Sequence, residues 1–204
     1  MAAFFGNLRN VVIAGFLLAI GVAAIYAGCL HGSIDQAFWL FVTRWLHVVS
    51  GVMWIGLLWY FNFVQVPTMP SVPAELKPGV TKYIAPAALF WFRWAAMATI
   101  VLGLGLAAMN NYLVQAYTLD AVDGFTNPAF VLIGLGMWLG TIMWFNVWFI
   151  IWPNQQKILN IGGKYSDLPQ PEKDKAAKAA LIASRFNTMA SIPMLFCMVA
   201  ASHI

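Results

Sequence analysis

The number and length of its apolar runs constrain this chain most. A helix needs about 20 consecutive apolar residues to cross a bilayer, and five such runs occur, at 11–29, 41–64, 86–109, 129–152 and 181–203. With 62% hydrophobic and 9% charged residues, a soluble domain would lack the charge to cover its surface. A β-barrel would instead show short alternating segments. The expectation is therefore an all-α integral membrane protein with five transmembrane helices, forming a single membrane domain over residues 1–204. The first run, which follows Arg9, reads as a retained helix rather than a cleaved leader.

Charge orients the chain. Lys77 and Lys82 precede the third run, and Lys157, Lys164, Lys173, Lys175 and Lys178 precede the fifth. The connection 110–127 has no lysine or arginine and holds Asp120 and Asp123. By the positive-inside rule, the N-terminus and both lysine-bearing connections face the cytoplasm, and the C-terminus faces the periplasm of a bacterial inner membrane. The net charge of +4 is thus an orientation signal and gives no reason to expect nucleic acid as a partner. Cys29 and Cys197 stand in apolar surroundings, and neither CxxC nor CxxCH occurs. Neither a zinc framework nor covalently attached haem is expected, and both thiols read as packing residues.

The second run, RWLHVVSGVMWIGLLWYFNFVQVP, carries the chemistry. At 100° per residue, Arg44, His47, Gly51, Trp54, Leu58 and Asn62 share one helical face. Ionisable groups in membrane helices are costly, so they face a protein interior and usually serve a function there. The stripe reads as the wall of a cofactor pocket, with His47 as a haem ligand. Otherwise His47 is a buried histidine bonded to a neighbouring helix. Arg44 is placed to pair with a propionate or to anchor at the interface, and Pro67 should close the helix.

Elsewhere the signals are thinner. His31, in the first connection, reads as solvated, and the proline-rich segment 67–86 as irregular. Arg93, a couple of turns into the third run, either snorkels to headgroups or meets an anionic group such as a propionate. Gly103, Gly105 and the Gly136–Gly140 pair would let helices approach closely. The fourth helix should stop at Pro153, and Pro193 should kink the fifth. Arg185, Met189, Phe196 and His203 share a face of the fifth helix, with Arg185 and His203 near opposite surfaces.

The halves repeat. Met53-Trp54, Gly56 and Phe61-Asn62 match Met137-Trp138, Gly140 and Phe145-Asn146, each offset by 84, while RWAAMA from Arg93 matches RFNTMA from Arg185 with offset 92. Parallel repeats of this kind pack about an axis along the membrane normal. Helices 2–5 are expected as a four-helix bundle with a parallel two-helix pseudo-repeat, and helix 1 outside it. Asn62 and Asn146 read as interhelical hydrogen-bonding groups.

The segments RWLHVVSGVMWIGLLWYFNFVQ, MWFNVWFIIWPNQQKIL and SRFNT…SIP…SHI resemble the membrane domain of the cytochrome c-fused bacterial urate oxidases. The resemblance implies a helical membrane domain that passes electrons to a cytochrome c outside the membrane. The family's last block reads SRHNT, so Phe186 stands where the family has histidine.

Haem b takes one or two axial ligands, usually His with His or Met. The expected ligands are His47 and His203, with Arg44, Gly51, Trp54 and Arg93 around the cofactor. The first functional expectation is a b-type haem protein carrying electrons to a periplasmic cytochrome c or a larger respiratory oxidase. The second is a haem-free accessory subunit of a membrane complex, working as a homo-oligomer or within that complex. The third is a membrane oxidase, of urate-oxidising or protoporphyrinogen-oxidising type.

Overall fold

The computed structural model describes residues 2–31 and 33–203, with the side chains of Ala2, Ala3, Leu30 and His31 outside the described set. It is helical throughout, with no strand among the described residues. Five helices are long and apolar enough to cross a membrane: α1 (Leu8–Cys29), α2 (Gln36–Ser71), α3 (Lys77–Met109), α4 (Pro128–Leu159) and α5 (Gln170–Ala200). The chain is a multi-pass membrane protein. It divides into two compact units, Met1–Val42 and Thr43–Ile204.

In the first unit, Asn7 caps α1 by accepting a hydrogen bond from the Arg9 amide at 3.1 Å. Most of α1 is exposed and apolar, as suits a helix immersed in lipid. A π-helical turn, Tyr26–His31, ends it. Asp35 then starts α2, its Oδ1 accepting from the Phe38 amide at 3.0 Å, as N-cap carboxylates do.

In the second unit, side chains from four helices meet in one core. Trp54, Leu58 and Phe61 come from α2, Leu89, Phe92 and Ala96 from α3, Met143, Val147 and Ile151 from α4, and Ala183, Ala190 and Met194 from α5. The helices outrun their apolar stretches. Neither Pro67 nor Pro153 ends its helix, because each follows a π-helical segment, Tyr60–Gln65 and Asn146–Ile151 respectively. A wider turn removes the clash that a proline ring makes with the carbonyl four residues back. Both π segments fall at the recurrent Phe-Asn pairs. The segment expected to be irregular is largely helical, since α3 begins at Lys77. Helix α5 continues unbroken through Pro193.

Gly136 is where α4 meets α5: a Cβ there would stand 3.1 Å from the Cβ of Cys197. Gly140 and Gly105 have nothing within 4 Å of such a Cβ, so neither serves the close contact expected of it. Beyond α3, the short helix Leu113–Tyr117 lies against Gly134, where a Cβ would overlap the Ala116 carbonyl oxygen. This connection buries Asp120 completely, with Oδ2 accepting from the Asn127 amide at 2.7 Å.

Candidate functional site

The polar stripe of α2 faces protein. Arg44 at its start is exposed and His47 and Gly51 are half-buried, while Trp54, Leu58 and Asn62 are at most 1% exposed. Gly51 faces α3, where a Cβ would lie 3.9 Å from Cγ2 of Thr99. Below Gly51 the stripe is packed solid, so it does not line an open pocket along its whole length.

At His47 the contact is more specific. Its Nδ1 lies 2.9 Å from the backbone oxygen of Thr99. A carbonyl only accepts, so Nδ1 carries the hydrogen, and in the neutral ring Nε2 keeps its lone pair. Nε2 has no hydrogen-bond partner among the described residues. Thr99 is able to offer its carbonyl because its own hydroxyl turns back to the Ala95 carbonyl at 2.7 Å. The imidazole lies over Gly103, whose missing side chain leaves the room: a Cβ there would stand 2.8 Å from Cε1 and 3.2 Å from Nδ1 of His47.

Above His47, Thr43 donates to the Met109 sulfur at 3.7 Å. Tyr112 stacks on Phe130, with centroids 5.9 Å apart. Burial pushes the Tyr112 phenol above the ordinary tyrosine value, and the nearby Arg44 guanidinium draws it partly back.

The other expected site residues lie elsewhere. His203 is exposed beyond the end of α5, its Nδ1 2.9 Å from the Val199 carbonyl oxygen and 3.1 Å from the Ser202 hydroxyl. The α5 face of Arg185, Met189, Phe196 and His203 points outward; Asn187, Ser191 and Met194 take the core side. Arg185 is thus no core residue. Arg93 is turned toward α4, its guanidinium 3.7 Å from the Trp152 ring centroid and 5.1 Å from that of Trp148. Trp54, though in the stripe, leaves its buried indole N–H without a partner.

A polar layer crosses the core at the recurrent asparagines. Asn62 donates to Ser184 at 2.8 Å and Asn146 donates to Asn187 at 2.8 Å. Asn187 donates in turn to the Met143 carbonyl at 2.9 Å, and the Trp59 indole donates to Ser191 at 3.0 Å. Both asparagines tie their helices to α5. The α5 partners escaped the sequence reading because its repeat pairs Asn187 with an alanine, Ala95. No group of three or more His, Cys, Asp or Glu side chains is placed to hold a metal ion among the described residues.

Family similarity falls on α4, α5 and the connection before α4. Residues 113–204 match the family model described as urate oxidase N-terminal. The chain therefore resembles that domain from the short helix Leu113–Tyr117 through α5, a stretch that holds Asn146, Asn187 and His203. His47, Arg44, Gly51, Trp54 and Arg93 lie outside it. No curated protein and no solved structure matches the chain significantly.

Proposed function

We propose that this chain is a b-type haem protein of a bacterial inner membrane, in which His47 would hold the iron through Nε2, carrying electrons toward a periplasmic cytochrome c or a respiratory oxidase. The observation that carries the reading is the His47–Thr99 hydrogen bond. Histidines that bind metal through Nε2 characteristically donate their other N–H to a carbonyl or carboxylate, which fixes tautomer and ring orientation. His47 has that arrangement, and Gly103 supplies the space for the ring.

The residues present fit one axial ligand. With α2 starting at Gln36, His47 sits about 16 Å along the helix by its rise, whereas His203 lies past the end of α5 on its outward side. His47 alone is therefore assigned. When bound, haem would supply one-electron redox chemistry at an iron whose potential is set by its ligand and surroundings. Thr99 holds the imidazole in the ligating tautomer. Arg44 and Tyr112 supply a cation and a hydroxyl on the outer side of His47, suited to a propionate. The packed layer of Trp54, Leu58 and Asn62 keeps water from entering from below.

In the finer architecture proposed here, α2–α5 form a four-helix bundle with a parallel pseudo-repeat. The shared π segments at Phe61-Asn62 and Phe145-Asn146 support it. The lysine-rich connections face the cytoplasm and the C-terminus the periplasm.

A second reading, a haem-free accessory subunit, is favoured by how completely the lower stripe is filled. The family match motivates a third, an oxidase. An enzyme needs an acid or base in its pocket, and the one buried carboxylate among the described residues, Asp120, lies in the connection between α3 and α4. Visible spectra of the purified protein and of His47→Ala test the first reading against the second.

A further inference from the structure

A second polar constellation lies between α3 and α4, on a different face of α3 from the one that meets His47. Arg93 makes no ion pair or hydrogen bond with any described residue. Its guanidinium rests instead on indoles, 3.7 Å from the centroid of Trp152, 5.1 Å from Trp148 and 5.7 Å from Trp94. Its Nε–H is buried without an acceptor, and so are the indole N–H groups of Trp144 and Trp148. Trp144, Trp148 and Trp152 recur at four-residue intervals along α4, so they lie toward one side of the helix. A guanidinium with no anionic or hydrogen-bonding partner among the described residues, in a helix long and apolar enough to cross a membrane, calls for an anion from outside the protein.

The helical register leads from this cluster to a recess. Pro86 and Arg93, seven residues apart, lie within about 20° of each other around α3, as Trp152 and Leu159 do around α4. Lys82, Pro86, Leu159 and Gly162 line an open recess of about 410 Å³ at the lysine-bearing end. The groove therefore offers a cation at its mouth and an aromatic-walled guanidinium two turns deeper. Seven lysines against four carboxylates in the two connections at this end reinforce the sign.

We infer that this groove binds an anionic phospholipid. The phosphate lies in the recess against Lys82, and oxygens of the glycerol ester region accept from the guanidinium of Arg93. Basic pockets between membrane helices recognise lipid headgroups in this way, and the indole faces suit the glycerol–acyl boundary. The site is independent of the haem reading and shares no residue with His47, Thr99 or Gly103.

The test is titration of phosphatidylglycerol, and separately phosphatidylcholine, into delipidated protein in mild detergent, with native mass spectrometry counting bound lipid. Phosphatidylglycerol is expected to bind roughly twentyfold more tightly, and Arg93→Gln or Lys82→Gln each to weaken it about fivefold without changing phosphatidylcholine binding. Equal affinity for the two lipids would overturn the assignment. So would displacement of phosphatidylglycerol by millimolar inorganic phosphate, which would make this a free-anion site. If Arg93→Gln does not fold, Lys82→Gln at the exposed mouth decides alone, and unchanged phosphatidylglycerol affinity there overturns the inference.

Discussion

The imidazole of His47 fits into the gap left by the missing side chain of Gly103, so that a methyl group on Gly103 would stand 2.8 Å from Cε1 of the ring. Since Nδ1 is also held by the Thr99 carbonyl at 2.9 Å, the ring cannot retreat without losing that bond. Gly103→Ala should raise helix propensity by about 1 kcal/mol and add an overlap costing about 1–3 kcal/mol. The expected result is a protein of near-normal thermal stability whose haem content per chain falls by more than half. Pyridine haemochrome assays beside thermal unfolding in detergent would check it. Unchanged haem content in the alanine variant would mean that the notch does not position the ligand.

The face of α2 was legible in the sequence, because a 100° rotation per residue places His47, Gly51, Trp54 and Asn62 together whatever surrounds them. The helix ends were less so. Asp35 is an N-cap signal that starts α2 before its apolar run, and the π segments that carry α2 and α4 past Pro67 and Pro153 leave no clear mark in hydropathy. Arg93 was ambiguous for a different reason. The indoles that hold it come from α4, more than fifty residues later, and no local pattern announces a contact of that range. The outward turn of His203 depends likewise on which face of α5 receives Asn187 and Ser191.

Asn187 joins two parts of the core, accepting from Asn146 and donating to the Met143 carbonyl while wholly buried. Asn187→Ala removes both bonds and leaves the Asn146 amide without an acceptor. Loss of one buried partner costs about 1–3 kcal/mol, and interhelical bonds in membranes average about 0.6 kcal/mol. The expected loss is about 2 kcal/mol, seen as a lower unfolding midpoint. Asn62→Ala, which loses Ser184, should cost less. An Asn187→Ala midpoint equal to wild type would remove the polar layer as a stabilising element.

Tyr112 ties the connection between α3 and α4 to pH. Burial raises its phenol, with Arg44 opposing the rise. A group whose pKa is higher in the folded state contributes stability that is complete below the unfolded value of about 10 and is lost as pH climbs through the folded value. Ultraviolet titration at alkaline pH should show one tyrosine ionising above the rest and missing in Tyr112→Phe. In Arg44→Gln that ionisation should move higher still. Movement downward would contradict the placement of Arg44 beside it.

The most direct test of the central claim is the reduced-minus-oxidised visible spectrum of the protein purified in mild detergent, with pyridine extraction to type the haem, beside the same measurement on His47→Ala. A b-type spectrum is expected in the wild-type protein, with its loss in a folded His47→Ala variant. A folded, colourless wild-type protein, or a spectrum that survives the substitution, would contradict it.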